Sequence, residues 1–584
     1  MDQIQHLYEQ GVEAYQRGQF EHAANCFGTA FTRDPTFAPA YNGLGLVLMD
    51  LGALADALQR FDQGLRVDPD FVPAYTNRAI ALQRLGRIEE ALACLDRAIA
   101  LAPNNPKAYN NRGSILTESN RPVEAVEAFD KALALKPDYP YVPGIRLLNK
   151  GQICDWSNLD RELSDLAERI NRGEHASPPW ALVSLLDRPD VQRTMAEAWI
   201  ADDVRENPLL GPLPKRARPA RVKLGYYSWD FHRHATAHLI AELFECHDRS
   251  KFEVVAFSFG PQTDDEMQKR LKAGVDRFVE VGHMRDAEIA HLSREMVVDI
   301  AIDLKGITVG HRLGIFAHRA APIQVNYLGY PGTTGAPYMD YLIADETIIP
   351  ESHRRFYREK VMALPNSYQV NDRRRKVSDR AFTRAELGLP DEGFVFCSFN
   401  NNFKILPAVF DIWMRVLTAV PGSVLWLIED NELAAANLRK EAAARGIDPG
   451  RLVFASRVAP EDHLARQKVA GLFLDTRPYN AHTTASDALW VGLPVLTYPG
   501  DTFPSRVAAS LLNAVGMPEL ITTTAAEYEA LAIALATQPA RLQAFKDRLM
   551  ANRAAAPLFD TELFARNLED AYLKMIDAHY GVSA

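Results

Sequence analysis

The feature that most constrains this chain is a 34-residue period running through its first quarter. Prolines fall at Pro35, Pro69, Pro103 and Pro137, each 34 positions after the last. The same step links Gly18, Gly52, Gly86 and Asn120, the last a residue that also tolerates left-handed backbone. It links Ala23, Ala57, Ala91 and Ala125, then Phe27, Phe61, Leu95 and Phe129, then Ala30, Gly64, Ala98 and Ala132. Tyr41, Tyr75 and Tyr109 keep the step as well. A unit this short cannot bury its own apolar face, so copies must stack on one another.

Each column has a mechanical reason. Gly or Asn ends the first helix of a pair and permits the turn. The Ala column lets two helices approach, and Phe or Leu fills the groove between them. Asp34-Pro35 and Asp68-Pro69 stop the second helix, because proline disfavours helix at the residue before it. The pattern resembles the tetratricopeptide repeat, about four copies over residues 1–139. That resemblance implies an α superhelix whose concave groove holds an extended peptide or a partner protein. The plainer alternative is that the repeats only pair two copies of the chain, as a homodimer, or brace the rest of it. Residues 140–217 keep helical patterns but lose the period, and Pro178-Pro179, Pro208, Pro212, Pro214 and Pro219 punctuate them. They read as irregular helices capping the repeats, then a linker.

From Val222 the pattern changes to short β-rich runs separated by helix-like stretches, the signature of βαβ units in a parallel sheet. The first series is expected at Val222–Tyr227, Phe252–Phe259, Val297–Leu304 and Ile323–Leu328, with a helix at Asp286–Glu295. A second comes after a loop rich in Arg, Asp and Ser at Asn371–Arg380. Its strands are expected at Phe394–Phe399, Val424–Ile428, Leu452–Ala455, Leu472–Asp475 and Val495–Tyr498. Two such halves in tandem resemble the GT-B architecture, so the expected fold class is a tetratricopeptide-repeat α superhelix followed by an α/β GT-B fold. Its two Rossmann-like domains take residues 218–380 and 381–584, with a ligand at the carboxyl ends of the strands and a terminal helix.

Composition narrows the function classes. A formal net charge of −10 argues against nucleic-acid binding as the main business. No apolar stretch approaches the length of a bilayer span, and the first residues lack the basic and apolar segments of a signal peptide. Cys26, Cys94, Cys154, Cys246 and Cys397 lie far apart, which fits reduced thiols in a cytoplasmic protein.

Four segments carry candidate chemistry. Asp475-Thr476-Arg477-Pro478-Tyr479-Asn480-Ala481-His482-Thr483-Thr484 runs from a strand through a polar turn into a helix. The first N–H groups of that helix suit a diphosphate, and the two threonines could add hydroxyls or merely cap the helix. Asp487, a turn further on, could accept from ribose hydroxyls. Asn400-Asn401-Asn402-Phe403-Lys404 places a lysine at the exit of a strand, where it either neutralises a leaving phosphate or is an exposed loop lysine. His232, His234 and His238 come just after the first α/β strand, and no nearby carboxylate or cysteine set completes a metal site. Leu328-Gly329-Tyr330-Pro331-Gly332-Thr333 could approach a sugar closely or be a plain turn.

Together these segments resemble the O-GlcNAc transferase family. The matching strings are Ser228-x-Asp230-Phe231-x-x-His234-x-x-x-His238-Leu239, Arg319-x-Ala321-Pro322-Ile323-Gln324 with Leu328 to Thr333, Phe399-Asn400-x-x-x-Lys404-Ile405, Val458-Ala459-Pro460 with His463, and His482-Thr483-Thr484-x-x-Asp487. The similarity is greatest to compact bacterial members. It implies UDP-GlcNAc as donor and a protein Ser or Thr hydroxyl as acceptor. By the same resemblance Lys404, Thr483 and Thr484 hold the diphosphate, and His463 and Arg466 hold the uracil beside Val458 and Ala459. His482 and Asp487 address the ribose, Gly310 and Gly329 line the sugar pocket, and His234 takes the position proposed for a general base. Two departures stand out: Phe403 replaces a Tyr of animal members and Asn401, a donor-site position, replaces a Gln. Transfer without a metal or other cofactor is expected, since Asp68-Pro69-Asp70, the one Asp-x-Asp string, lies in a repeat turn. The rival readings are transfer of fucose from GDP-fucose, transfer of glucose to asparagine, and a repeat scaffold whose second half only senses nucleotide.

Overall fold

The computed structural model describes residues 2–581 and divides into two compact units, residues 1–150 and 151–584. The first unit is four helix pairs, α1 (Asp2–Gln16) with α2 (Phe20–Arg33), α3 (Ala38–Asp50) with α4 (Leu54–Val67), α5 (Val72–Arg84) with α6 (Ile88–Leu101), and α7 (Pro106–Glu118) with α8 (Pro122–Leu135). The periodic columns occupy their expected places. Gly18, Gly52, Gly86 and Asn120 all have positive φ at the turn inside each pair. Ala23, Ala57, Ala91 and Ala125 are fully buried, and so are Phe61, Leu95 and Phe129. The tyrosine column gains a reason the sequence did not show: Tyr41 and Tyr75 donate their hydroxyls to the carbonyls of Pro35 and Pro69, closing the turn between pairs.

Most of α9 (Val142–Gln152) still belongs to the first unit, whereas α10 (Leu159–Asn171), α11 (Pro179–Leu185) and α12 (Pro189–Asp203) lie in the second, the same compact body as the sheets. Two parallel sheets come next. The first has seven strands: β1 (Val222–Ser228), β2 (Phe252–Ser258), β3 (Arg277–Glu280), β4 (Ile300–Asp303), β5 (Ile323–Asn326), β6 (Tyr341–Asp345) and β7 (Lys360–Leu364), in the order β3-β2-β1-β4-β5-β6-β7. The second has five: β8 (Val395–Ser398), β9 (Val424–Ile428), β10 (Leu452–Ala455), β11 (Leu472–Leu474) and β12 (Val495–Leu496), in the order β10-β9-β8-β11-β12. Central strands such as β4, β8 and β9 are buried at every position, as a sheet covered on both faces requires. The sequence pattern marks four strands in the first sheet and misses β3, β6 and β7. β3 is an edge strand with exposed ends, so it lacks the apolar run that marks a central strand.

In both sheets the strand order reverses once, between β1 and β4 and between β8 and β11. Loops leaving the two strands at such a reversal diverge to opposite faces and open a crevice at the carboxyl ends. The terminal helix Thr561–Tyr580 returns to the first sheet: Glu569 meets His247 at 2.9 Å, and the hydroxyls of Tyr572 and Tyr226 lie 3.2 Å apart.

Glycines that face the phenylalanine column leave no room for added bulk. A Cβ at Gly113 would lie 2.6 Å from the Phe129 ring. Gly113→Val should therefore destabilise the first unit by about 1–3 kcal/mol, the usual cost of overpacking. Chemical denaturation of the full chain followed by circular dichroism would show it as an earlier helical transition.

Candidate functional site

The crevice of the second sheet is built around a carboxylate that no sequence motif singles out. Asp475 stands at the exit of β11, almost fully buried. Its oxygens accept from Thr476 N–H (2.8 Å), Ala481 N–H (2.6 Å) and the Thr497 hydroxyl (2.7 Å), so one side chain folds the turn from 476 to 481. Burial pushes its pKa up to about 7, against the pull of those donors and of Lys404. Asn480 donates to Thr476 O (2.7 Å), and the Thr476 hydroxyl to Tyr479 O (2.7 Å).

Lys404 reaches into this turn from the short 3-10 helix after β8. Its Nζ donates to Asn480 O at 2.9 Å and sits 4.0 Å over the Tyr479 ring. Burial lowers its pKa to about 8, with Asp475 opposing. Lys404 is thus a half-buried cation held at a sheet crevice rather than a solvated loop lysine. Of the three amides before it, Asn401 is exposed and Asn400 does the structural work. Asn400 donates to the Thr476 hydroxyl (2.9 Å) and accepts from the Thr484 hydroxyl (2.7 Å), tying the β8 exit to the helix after β11.

That helix, Thr483–Trp490, begins at His482 with no side-chain cap. Its first ladder bond runs from Ser486 N–H to His482 O, so the N–H groups of Thr483, Thr484 and Ala485 head the helix. The Thr484 hydroxyl is committed to Asn400, which leaves its N–H as the group it offers outward. Burial, then Lys404, drive the His482 pKa well below its ordinary value. Its Nε2 lies 3.2 Å from Pro504 O, which fixes the proton on that nitrogen and leaves Nδ1 as an acceptor. Asp487 is ion-paired with Arg375, a buried residue of the segment joining the two sheets, and Arg375 also lies 5.5 Å over Trp490. The run of arginines there is visible in the sequence, but not that one of them turns inward.

A second pocket wall stands beyond β10. Arg466, 2% exposed, donates to His463 Nδ1 (2.9 Å) and Ser456 O (2.7 Å) and packs under Phe399 and Trp426. Burial, with Arg466 beside it, lowers the His463 pKa to about 4, so the ring is neutral and, with Nδ1 accepting from Arg466, carries its proton on Nε2. Val458 and Ala459 lie exposed just before it.

At the reversal of the first sheet, His234 caps the helix Ala235–Cys246 and its Nδ1 accepts from Thr236 N–H at 3.2 Å. In this arrangement the neutral ring offers Nε2–H. Accepting a proton at Nε2 takes the other tautomer, with Nδ1–H turned to Asp230, 3.6 Å away. Asp230 is buried and receives both bonds of Lys305 Nζ at 3.0 Å. Burial lowers the His234 pKa, with Asp230 opposing and Lys305 adding to the fall. Burial lowers the pKa of His238, one turn on, with Arg233 and Arg375 adding to the fall and Asp372 and Glu461 opposing it. Gly310, with positive φ, lies against the Trp229 ring. Gly329 has a packing reason: a Cβ there would sit 2.0 Å from Leu304 O, where the loops after β4 and β5 cross. No group of three or more metal-ligating side chains occurs among the described residues, and none of their helices is long and apolar enough to cross a membrane.

Comparison with known proteins bears on this arrangement. The profile of Glycosyl transferase family 41 matches residues 212–381 and 376–568, and a tetratricopeptide-repeat profile matches 8–70 and 76–140. A probable UDP-N-acetylglucosamine–peptide N-acetylglucosaminyltransferase of Arabidopsis thaliana, SEC, is 37% identical over 374 residues, covering 63% of this chain and 38% of its own length. The Caenorhabditis elegans UDP-N-acetylglucosamine–peptide N-acetylglucosaminyltransferase is 27% identical over 544 residues, covering 72% of this chain and 47% of its own. The chain thus spans less than half the length of these curated relatives. A solved mutant of the Thermobaculum terrenum O-GlcNAc transferase superposes with a TM-score of 0.69 at 27% identity, covering 94% of this chain and 99% of that one.

Asp475→Ala would strand three buried donors at once. It should cost about 3 kcal/mol or more at about 1–3 kcal/mol per unmet group, and Asp475→Asn, which keeps one acceptor oxygen, about half as much. Equilibrium denaturation of the two variants measures the difference.

Proposed function

This chain is a member of glycosyltransferase family 41, and from that premise we propose that it transfers N-acetylglucosamine from UDP-GlcNAc to Ser or Thr hydroxyls of polypeptides. The observation that carries the reading is the Lys404 ammonium, held beside the uncapped start of helix Thr483–Trp490. A cation and three helix-leading N–H groups at one point form a site for a diphosphate leaving group. The relatives' names supply the sugar and the acceptor class.

On this reading each group of the crevice takes a step. Asn400 and Asp475 hold the lysine and the helix start in register, so the site is organised before the donor arrives. His463 offers Nε2–H to a uracil carbonyl, with Val458 and Ala459 at its edge. His482 Nδ1 accepts from a ribose hydroxyl, and Asp487 takes a second ribose hydroxyl while remaining paired to Arg375. Gly310 lets the backbone near Trp229 approach the sugar, and Gly329 fixes the loop behind it. The acceptor oxygen attacks the anomeric carbon from the side opposite UDP and inverts it. His234, neutral at physiological pH, takes the proton at Nε2 once its Nδ1–H turns to Asp230. As the bond to UDP breaks, charge collects on the β-phosphate, where Lys404 and the helix start stabilise it without a divalent cation. The repeats recruit the acceptor polypeptide, and the reaction takes place in the cytoplasm.

Lys404→Ala should lower turnover by about 10²–10³-fold, the usual loss for one group opposing transition-state charge, while circular dichroism stays unchanged. Activity with UDP-GlcNAc should persist in chelator, and a preference for GDP-fucose would overturn the donor assignment. The pKa of Lys404 sets a pH dependence. With its folded pKa near about 8 in the empty site, the ammonium is present below that pH and lost above it, while bound phosphate favours the charged form. UDP affinity should therefore fall toward about tenfold per unit above pH 8. Calorimetry from pH 7 to 9.5 checks this, and a profile equally steep in Lys404→Met would refute it.

A further inference from the structure

One carboxylate outside both sheets is built into the donor crevice more thoroughly than several residues of the crevice itself. Asp187 lies between α11 and α12, in the helical stretch that reads from sequence as a cap and linker. Its Oδ2 pairs with Arg477 (2.8 Å to Nη2, 3.2 Å to Nε), on the turn that Asp475 folds. Its Oδ1 accepts from Asp501 N–H (3.0 Å), Thr502 N–H (2.9 Å) and the Thr502 hydroxyl (2.9 Å). The turn 500–505 is shaped around it: a Cβ at Gly500 would lie 1.9 Å from Asp187 Oδ2. Burial would raise the Asp187 pKa, but Arg477 and the donors of the turn outweigh it and hold the carboxyl below its ordinary value.

The same turn reaches the donor crevice. Its Pro504 carbonyl accepts from Asn480 N–H at 2.9 Å and from His482 Nε2 at 3.2 Å. Asn480 in turn offers its carbonyl to Lys404 Nζ. Two short paths therefore run from Asp187 into the crevice. One passes through Arg477 to the turn 476–481, and the other through Thr502 and Pro504 to the ring of His482. The Pro504 contact is what places the His482 proton on Nε2 and so makes Nδ1 an acceptor.

We propose that Asp187 is a positioning residue for the donor: it fixes the turn 500–505, and through Pro504 the orientation and tautomer of His482. It touches no donor atom itself. The helical segment before the first sheet is, on this view, a working part of the nucleotide site, and a change in α11 or α12 is felt as a change in donor affinity. The proposal rests on the donor site assigned above, and its test keeps the two apart.

The test is a double-mutant cycle in the full-length chain with UDP as the probe, read by calorimetry. His482→Ala and Lys404→Ala serve as controls. If neither weakens UDP binding, the donor assignment itself fails. If they do, Asp187→Ala should weaken UDP by about tenfold, as misplacement of a contacting group does. In the His482→Ala background its effect should be clearly smaller, because of its two paths only the one through Arg477 to the turn 476–481 remains. Asp187→Asn, which keeps acceptor capacity for the turn and loses the charge on Arg477, should fall between and guards against misfolding of the alanine variant. With the controls weakened, UDP binding within twofold of wild type in both Asp187 variants would overturn the proposal. So would a loss that simply adds to that of His482→Ala, which is what general destabilisation would give.

Discussion

The crevice of the second sheet hangs on the buried carboxylate of Asp475. Three donors, from Thr476, Ala481 and Thr497, converge on it, and the turn they fold decides where helix Thr483–Trp490 starts and where Asn480 presents its carbonyl to Lys404. A buried carboxylate is costly unless its oxygens are satisfied. The raised pKa of Asp475 shows the burial cost still outweighing its partners. Burial likewise lowers the pKa of Lys404 close by, while each of the two charges favours the ionised form of the other.

The histidines obey the same rule with a different outcome. His234, His463 and His482 all have lowered pKa values, with burial as the first cause. Neutral rings are useful because each can be both donor and acceptor, and the partner on one nitrogen decides what the other offers. Arg466 makes His463 a donor at Nε2, and Pro504 makes His482 an acceptor at Nδ1. His234 is poised between the two states by Thr236 and Asp230.

The segment joining the sheets works as a strap rather than a tether. Asn371 binds Ser486 and Leu558 O, Asp372 binds Arg270, Arg373 binds Glu242, and Arg375 binds Asp487. Asn371 and Arg375 thus hold the helix that begins at Thr483, while Asp372 and Arg373 hold helices that flank the first sheet, one of them the helix capped by His234. Ion pairs of this kind add little net stability once desolvation is counted, but they discriminate against other placements of the two halves. For a reaction between groups on different sheets, placement is what matters.

Sequence alone determined the repeat stack, because a 34-residue period with Gly, Ala and Phe columns has only one way to bury its apolar face. It located most central strands, since a strand covered on both faces must be a short apolar run, and it marked Lys404, His463 and the His482 turn through their motifs. It could not find the edge strand β3, whose exposed ends carry no such run, nor tell Asn400 from Asn401, because three adjacent amides differ only in which way the backbone turns them. Asp475 and Arg375 were present in the segments read, but a charged residue looks solvated until the fold buries it. Asp187 was beyond reach altogether. It lies 290 residues from Arg477, and only tertiary packing brings a helical turn before the first sheet against the loops of the second. Local pattern records what each segment must bury, whereas which distant charge satisfies a buried group is decided by the assembled fold.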